Sequence, residues 1–578
     1  MKKMPFSKVF LTIIFLVMMS VSSAQQWGLY TLYAPRNGTT AYLIDTNSTV
    51  YKQWSFSSSK KTVYSTHLTK GDTLVRAYKP TGNTWNVGPC HGGFQKVLWD
   101  GTIVWDYTYY SNGSYSPHHD ICPMPNGNLL VICLESKSGT ESQAAGCSSN
   151  ITLYAESILE LKPTGTNTAT IVWEWHLWDH LCQNTNSSKP NYVTSFVNNP
   201  QMLNINYTTT GTNSDRWHMN GIDYNADLDQ IAISMHFMNE VYVIDHSTTT
   251  AEAAGHTGGN SGMGGDFLYR WGNPASYGAT GSTVFDVVHD AHWVRSDHPL
   301  YPNYLVGYNN DGPTGNITTV DIFAPPYNGN NYTLNLGSAY GPTSYAYRYT
   351  SSFHATNEGN SHQLPNGNML VNNAFGSIYE VNSAGTTLWT KTSALSSHAY
   401  RYDLCYVRGP VASVSATPST ISQGSAVTLS ASALSVTETN PTYTYSWTSD
   451  PAGFTSSLQS TVDYPVTSTT YTVVVTNTAL GCTDTATVSV DVVVGLDEGS
   501  TPEQLSVWPN PSDGIFHLSG TYLSGAEEIS VVNAQGAVIL SSGTTDQLDL
   551  SALDNGYYYL VLKGENSGRV IKKLVLIR

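Results

Sequence analysis

One pattern recurs from about residue 27 to 408 and constrains the fold more than any other feature of the chain. It is an apolar strand, a Gly/Asn/Asp turn, a second strand, and a closing segment with an aromatic residue near its end. Tyr42 to Trp54, Val97 to Trp105, Ile158 to Trp175, Val241 to Trp271 and Ile378 to Trp389 all follow it. The turn Pro-Asn-Gly-Asn occurs at 125–128 and again at 365–368, where Asn-Gly supplies the positive-φ residues of a tight hairpin. Units of this kind cannot bury both faces alone, so they must stack on one another, and a ring leaves none unstacked. Such units stand near 71–108, 119–175, 218–272, 289–337 and 362–391. The segment 40–56 reads as the outer half of a sixth, which a late strand at 397–407 completes, closing the ring. Residues 176–217, rich in Asn, Thr and Ser, read as an insertion forming a lid or rim. The tryptophans at the unit ends read as core.

A chain of 578 residues is too long for a single core, so several domains are expected. After Gly409-Pro410 the composition turns to alternating Ser, Thr and Val, with Trp447 in a central strand. This stretch resembles the immunoglobulin-like and polycystic-kidney-disease-like spacer modules of exported proteins. An acidic linker near Asp497-Glu498 leads to Trp508-Pro509-Asn510-Pro511, then to Leu553-Asp554-Asn555-Gly556-Tyr557, and the chain ends near Lys572-Lys573. Those elements resemble the C-terminal sorting domain of type IX secretion substrates, which implies passage through the outer membrane. At the other end, Lys2, Lys3 and Lys8 precede the apolar run Val9 to Met19, and Ser22-Ser23-Ala24 supplies small residues for cleavage. That run is far short of the roughly 18 residues a membrane helix needs. The expected organisation is therefore a signal peptide at 1–24, a six-bladed β-propeller at 25–409, an immunoglobulin-like β-sandwich at 410–495, and a small β-sandwich sorting domain at 496–578. The fold class is all-β.

A formal charge of -16, with 26 Lys and Arg, argues against a phosphate-tracking surface, so nucleic acid is not an expected partner. Export permits disulfides, and Cys122 and Cys133 flank a hairpin turn at spacings that suit a cross-strand bridge. Of the seven cysteines, Cys482 stands alone in its region and is expected to be the unpaired thiol.

The chemistry-bearing residues are histidines at strand starts. His119-Asp120 and His289-Asp290 open two units in the same way, and Trp217-His218-Met219-Asn220 opens a third. In a ring, the inner strands of several units line one channel, so these side chains can share a pocket. Imidazole there suits an anionic substrate, as N–H donor, base or nucleophile; three histidines could equally hold a metal. Taken singly, His176, His180, His292, His354 and His362 read as hydrogen-bonded structural residues. Two decoys fall away. Tyr78 to Trp85 faintly resembles a phosphosulfate loop, but such a loop must open a helix and both flanks here read as strands. Cys122 is followed by Pro123-Met124-Pro125, not by the Pro-x-Arg pattern of sulfatases.

The elements His118-His119-Asp120, Trp217 to Tyr224, Tyr242 to Ser247, Leu268 to Pro274 and His289-Asp290-Ala291 resemble the bacterial arylsulfate sulfotransferases. The resemblance covers roughly 27–408. It implies a six-bladed propeller that moves a sulfuryl group from a small phenolic sulfate ester to a phenolic acceptor, by a ping-pong route through a sulfated histidine. No cofactor, nucleotide donor or metal is implied. Carried over by position, His289 matches the nucleophile, and His119 and His218 match the histidines that hold the sulfuryl oxygens. Asn220, together with His118 as the alternative to His119, is carried as substrate-binding. Where the family has an arginine this chain has His236, a titratable group in place of a fixed cation, so activity is expected to fall as pH rises through its titration. The rival expectation is a non-catalytic surface propeller that binds glycans or other anionic ligands. The expected location is secreted or cell-surface, with the type IX secretion machinery as partner and no membrane span.

Overall fold

The computed structural model describes residues 27–493 and 505–578, apart from 72, 209–213, 313–314, 436, 439, 524–525, 534–536, 544 and 565–568. The expected signal segment 1–24 and the linker at Asp497-Glu498 lie outside the described residues. The chain divides into two compact units. The first runs to Val411 and includes 434–442 and 477–483; the second holds 412–433, 443–476 and 484–578.

The first unit contains six four-stranded antiparallel sheets. Sheet A joins the two ends of the unit: Ser396–Tyr402 pairs with Tyr30–Pro35, followed by Thr40–Ile44 and Val50–Ser55. Sheet B holds Thr62–Thr69, Thr73–Tyr78, Gly93–Val97 and Ile103–Thr108. Sheet C holds Tyr115–Pro123, Leu129–Lys137, Leu153–Pro163 and Ala169–His176. Sheet D holds Met219–Asn225, Gln230–Met235, Glu240–Asp245 and Tyr269–Trp271. Sheet E holds Val288–Trp293, Leu305–Asn309, Thr319–Phe323 and Tyr347–Thr350. Sheet F holds Asn360–Gln363, Met369–Asn372, Ile378–Val381 and Thr387–Lys391.

Strand alternation sends each sheet's apolar residues to both faces, and each face meets the next sheet. On Gln230–Met235, Ile231 and Ile233 join Ile132 and Trp175 of sheet C, while Ala232 joins Val288 and Phe323 of sheet E. The same holds for Val75 and Phe94 against Ile121 and Val131, and for Val306 and Ile322 against Val371 and Val381. Leu370 and Ile378 then meet Tyr33 and Ile44, and Leu43 and Trp54 meet Leu74 and Val97. The succession of interfaces thus returns from sheet F through A to B.

The unit-end tryptophans have a second part in this packing. The indoles of Trp54, Trp105, Trp175, Trp271 and Trp389 donate to the carbonyls of Leu98, Thr168, Gly265, Pro342 and Thr46, each on the following sheet or its loop. A large apolar ring with one N–H is suited to an interface that is dry except at its edge.

Several boundaries differ from the sequence reading. Sheet B begins at Thr62 rather than 71, because its first strand is Thr- and Ser-rich and bulged between Thr62 and Thr66. Sheet E runs past 337 to Thr350, around the small hairpin Tyr327–Asn328 and Asn331–Tyr332. The last strand stops at Tyr402, and Leu404–Arg408 is a helix capped by Asp403, whose carboxylate accepts from the Tyr406 amide at 2.7 Å. Within the described residues, 176–217 is not a lid. Leu177, Leu181, Leu203 and Ile205 sink into the core between sheets C and D, and Arg270 donates to the carbonyls of Pro200 and Met202.

The cysteine expectation is overturned. Cys122 lies opposite Leu130 and Cys133 opposite Pro117, and the two thiols belong to cores on opposite faces of sheet C. Both are buried and free, as are Cys90, Cys147 and Cys182. Cys482 is not the unpaired thiol but is bonded to Cys405, with a Cα–Cα distance of 5.2 Å. Closing a loop between residues 77 apart, this bond is expected to contribute about 2–4 kcal/mol. A Cys405→Ser variant should show that loss as a lower denaturant midpoint.

In the second unit, Val427–Leu434, Ser460–Asp463 and their partner strand face a five-stranded sheet that contains Tyr443–Asp450 and Thr469–Asn477. Trp447, Tyr471, Val473 and Leu429 form the core between them. Residues 505–578 form a three-stranded and a four-stranded sheet over Phe516, Leu518, Val531 and Leu560. Asn510 and Asn555 pin the final strand and its end: Asn510 accepts from the Val575 amide and Asn555 from that of Arg578.

Candidate active site

The edge strands of the six sheets meet at one cavity of about 920 Å³. Tyr64, His119, His218, His289, Glu358 and Ser397 line it, one from the edge of each sheet or the residues beside it. A local irregularity turns most of these edges inward. Pairing slips between Pro117 and Ile121, between Met219 and Gly221, and between His289 and His292. Tyr64, His119, His218, Asp290 and Glu358 all have positive φ, from 39° to 57°. Bulges with left-handed residues re-aim side chains, and backbone strain of this kind collects at functional sites.

The aspartates that follow the histidines do different work. Asp120 accepts from the Ile222 amide, Asp223 from Trp293 and Asp290 from Ser361, so each carboxylate holds the edge strand of the following sheet.

Four rings form a row. Centroid separations are 4.6 Å for His119–His218, 5.3 Å for His218–His236 and 5.4 Å for His236–His289. Gly88 lies across two of them with φ +55°, and a Cβ there would sit 2.7 Å from His119 Cε1 and 3.0 Å from His218 Cε1. Gly88→Ala is therefore expected to displace the rings and reduce any turnover roughly tenfold, while a melting curve near that of the parent shows the fold kept.

His289 has a defined tautomer. Asn310 donates its amide N–H groups to the carbonyls of Ala355 and Glu358, which leaves its oxygen facing His289 Nδ1 at 2.7 Å. That oxygen only accepts, so the hydrogen is on Nδ1. The Nε2 lone pair meets only the Glu358 amide, at 3.3 Å. Burial, followed by the neighbouring His236, holds the His289 pKa well below 6.5, so the ring is neutral.

His218 differs from its neighbours. Burial disfavours its charge, but the hydrogen bond to Asp215 at 2.7 Å, the Asp215 charge and Glu156 outweigh that and raise its pKa. His119 lies well below 6.5 through burial and then the nearby His218. His236 is pushed down to about 3 by burial and then by His218. The expectation that His236 supplies a titratable cation near neutrality therefore fails, and the ring inclined to carry charge is His218.

His118 and Asn220, expected to touch substrate, do not line the cavity. Both are fully buried. Asn220 donates to the Val288 carbonyl at 2.9 Å and accepts from Ser234 at 2.7 Å, which fastens the strand that carries His289. His118 Nε2 donates to Glu156 at 2.9 Å, and its Nδ1 lies 2.7 Å from Nδ1 of His119. One hydrogen lies between those two Nδ1 atoms.

Other cavity residues escaped the sequence reading. Arg36 donates to Glu358 at 2.7 Å and lies over the Phe375 ring at 4.4 Å; Lys61 and Lys79 also reach the lining. The Tyr64 hydroxyl is buried without a hydrogen-bond partner among the described residues, and burial raises its pKa well above 10. The decoy loop that starts at Tyr78 does contribute to the cavity, through Lys79, Pro80, Thr81 and Asn83.

The comparisons with known proteins bear on this constellation. Residues 36–311 match the arylsulfotransferase family. The match spans Arg36 and every histidine of the row, and supports arylsulfotransferase activity in general, with phenolic substrates. Residues 506–577 match the secretion system C-terminal sorting domain, which indicates export to the cell surface or secretion through the type IX machinery. No helix among the described residues is long and apolar enough to cross a membrane. No curated protein matches the chain. Similar solved structures include a Bacteroides caccae protein of unknown function, 11% identical, covering 64% of this chain and 98% of its own, with a TM-score of 0.35. A putative 6-phosphogluconolactonase from Bacteroides fragilis is also 11% identical, covering 65% and 99%, with a TM-score of 0.34.

Proposed function

We propose that the first unit is a six-bladed β-propeller and an aryl-sulfate sulfotransferase that works by a ping-pong route through sulfated His289. The ring is supported by the succession of six sheet interfaces that returns to its start. The 412–493 stretch serves as an immunoglobulin-like spacer before the sorting domain.

The observation that carries the chemistry is the neutral His289 ring, which lines the cavity with Nδ1–H fixed by Asn310 and with an Nε2 lone pair engaged by one long contact, the Glu358 amide at 3.3 Å, which the attack displaces. Nε2 attacks the sulfur of the aryl sulfate, the S–O bond breaks, and the aryloxide leaves with the bonding pair and takes a proton from solvent. The His218 imidazolium, with Asp215 behind it, offsets charge on the sulfuryl oxygens, and the Tyr64 hydroxyl is a further donor. In the second half, the acceptor phenol gives its proton to His119 Nε2 and its oxygen attacks sulfur. The N–S pair returns to His289, and His119 sheds its proton to solvent. Arg36, Lys61 and Lys79 favour an anionic donor at the rim, and the exposed Phe375 offers an aromatic surface to its ring.

The test is mass spectrometry of the His289 peptide, under non-acidic conditions, after exposure to a chromogenic aryl sulfate without acceptor. A sulfuryl adduct on His289, discharged by added phenol, is the expected result. An unmodified His289 in protein that turns over the donor would overturn the reading.

A further inference from the structure

Away from the cavity, three side chains of ligand type converge. His180 ends the short turn Leu177–His180, His256 lies in the glycine-rich loop after the helix Thr250–Ala253, and Asp266 precedes Tyr269–Trp271. Their ligand atoms all lie within 4.8 Å of one another. Nδ1 of His180 and Nδ1 of His256 approach the same Asp266 oxygen, at 2.9 and 2.8 Å. None of the three has a part in the proposed transfer.

His180 is firmly held. It stacks on Trp175 with ring planes 3° apart, and its Nε2 donates to the Ala253 carbonyl at 2.8 Å. Gly265 leaves it room, because a Cβ there would lie 2.7 Å from Nε2 and 2.0 Å from that carbonyl oxygen. A carbonyl can only accept. In a neutral His180 the hydrogen is therefore on Nε2, and Nδ1 is a bare lone pair facing a buried carboxylate oxygen. Two acceptors so placed need a positive charge between them, either a proton or a metal ion.

Two features favour the metal. A ring N–H given to a backbone carbonyl is the usual outer contact of a metal-bound histidine, fixing its tautomer and aim. The second ring converges on the same oxygen, and His256 is exposed, so the group opens to solvent where a fourth ligand can enter. We propose that His180, His256 and Asp266 bind a divalent transition cation of the zinc class, with water in the fourth position. Two imidazoles and one carboxylate suit such an ion, whereas calcium or magnesium would require more oxygen ligands. Bond lengths of about 2.0–2.2 Å require the three atoms to part by about half an ångström, which the exposed His256 can accommodate. The ion would tie the 254–265 loop to the 177–180 turn.

The test uses the full chain, stripped with a chelator and titrated with Co²⁺, then with Zn²⁺. One equivalent of Co²⁺ should give the visible absorption of a four-coordinate site, and Zn²⁺ should displace it. His256→Ala should abolish that absorption while its metal-free melting temperature stays at the parent value, and His289→Asn should retain it. Absence of Co²⁺ and Zn²⁺ uptake by the parent protein would overturn the proposal and leave an imidazolium–carboxylate pair. So would uptake that survives in His256→Ala, which would place the ion elsewhere.

Discussion

His289→Asn is expected to lower aryl-sulfate turnover by at least ~10³-fold, because removing a covalent nucleophile leaves only binding and charge stabilisation. Asparagine is smaller than histidine, can still offer an N–H to Asn310, and has no lone pair able to form an N–S bond. The edge strand should therefore hold while the chemistry stops. The measurement is release of the chromogenic phenol, with and without acceptor, beside a melting curve for the variant. Turnover close to that of the parent would remove His289 from the mechanism. Turnover that a chelator abolishes even in His256→Ala, which lacks the ion site proposed above, would instead favour metal-dependent chemistry in the cavity. If the parent turns over no aryl sulfate tested, with or without phenol, the rival reading of a surface propeller that binds anionic ligands gains instead.

The particular residues explain what was legible beforehand. Periodicity announced the sheets because strands such as Gln230–Met235 alternate faces, and the unit-end tryptophans marked where one sheet meets the next. The histidines were legible as repeated strand openings. Their charges were not. The pKa of His218 depends on Asp215, three residues before it on an irregular stretch, and that of His236 on burial that only the assembled sheets create. Asn310 fixes the His289 tautomer from 21 residues away, on the loop after the neighbouring strand. The left-handed backbone that aims Tyr64, His119 and His218 falls on those residues themselves, where no glycine announces it. Arg36 lies far from the histidine motifs in sequence and reaches the cavity through Glu358 and Phe375. Cysteine spacing misled because Cys122 and Cys133 project from opposite faces of one sheet, which a count of residues between them does not reveal.

Asp215→Asn tests the charge assignment and should produce the second-largest loss, about 10²-fold at neutral pH, the size of effect found when one stabilising group of this kind is lost. The His218 pKa is raised above 6.5 by Asp215, so the imidazolium is present below that raised value and is lost as pH rises through it. Transfer in the parent protein should accordingly fall on the alkaline side of the His218 titration. In Asp215→Asn, burial is opposed only by Glu156, the pKa drops, and the alkaline limb moves to lower pH. On the acid side, protonation of His289 removes the nucleophile, but only well below pH 6.5, so a working plateau lies between the two limbs. His236, held near 3 and neutral across this range, sets neither the plateau nor its alkaline edge. His236→Asn should therefore leave the alkaline limb where it was. A limb that moves in His236→Asn and stays in Asp215→Asn would return the cation to His236 and reverse the assignment.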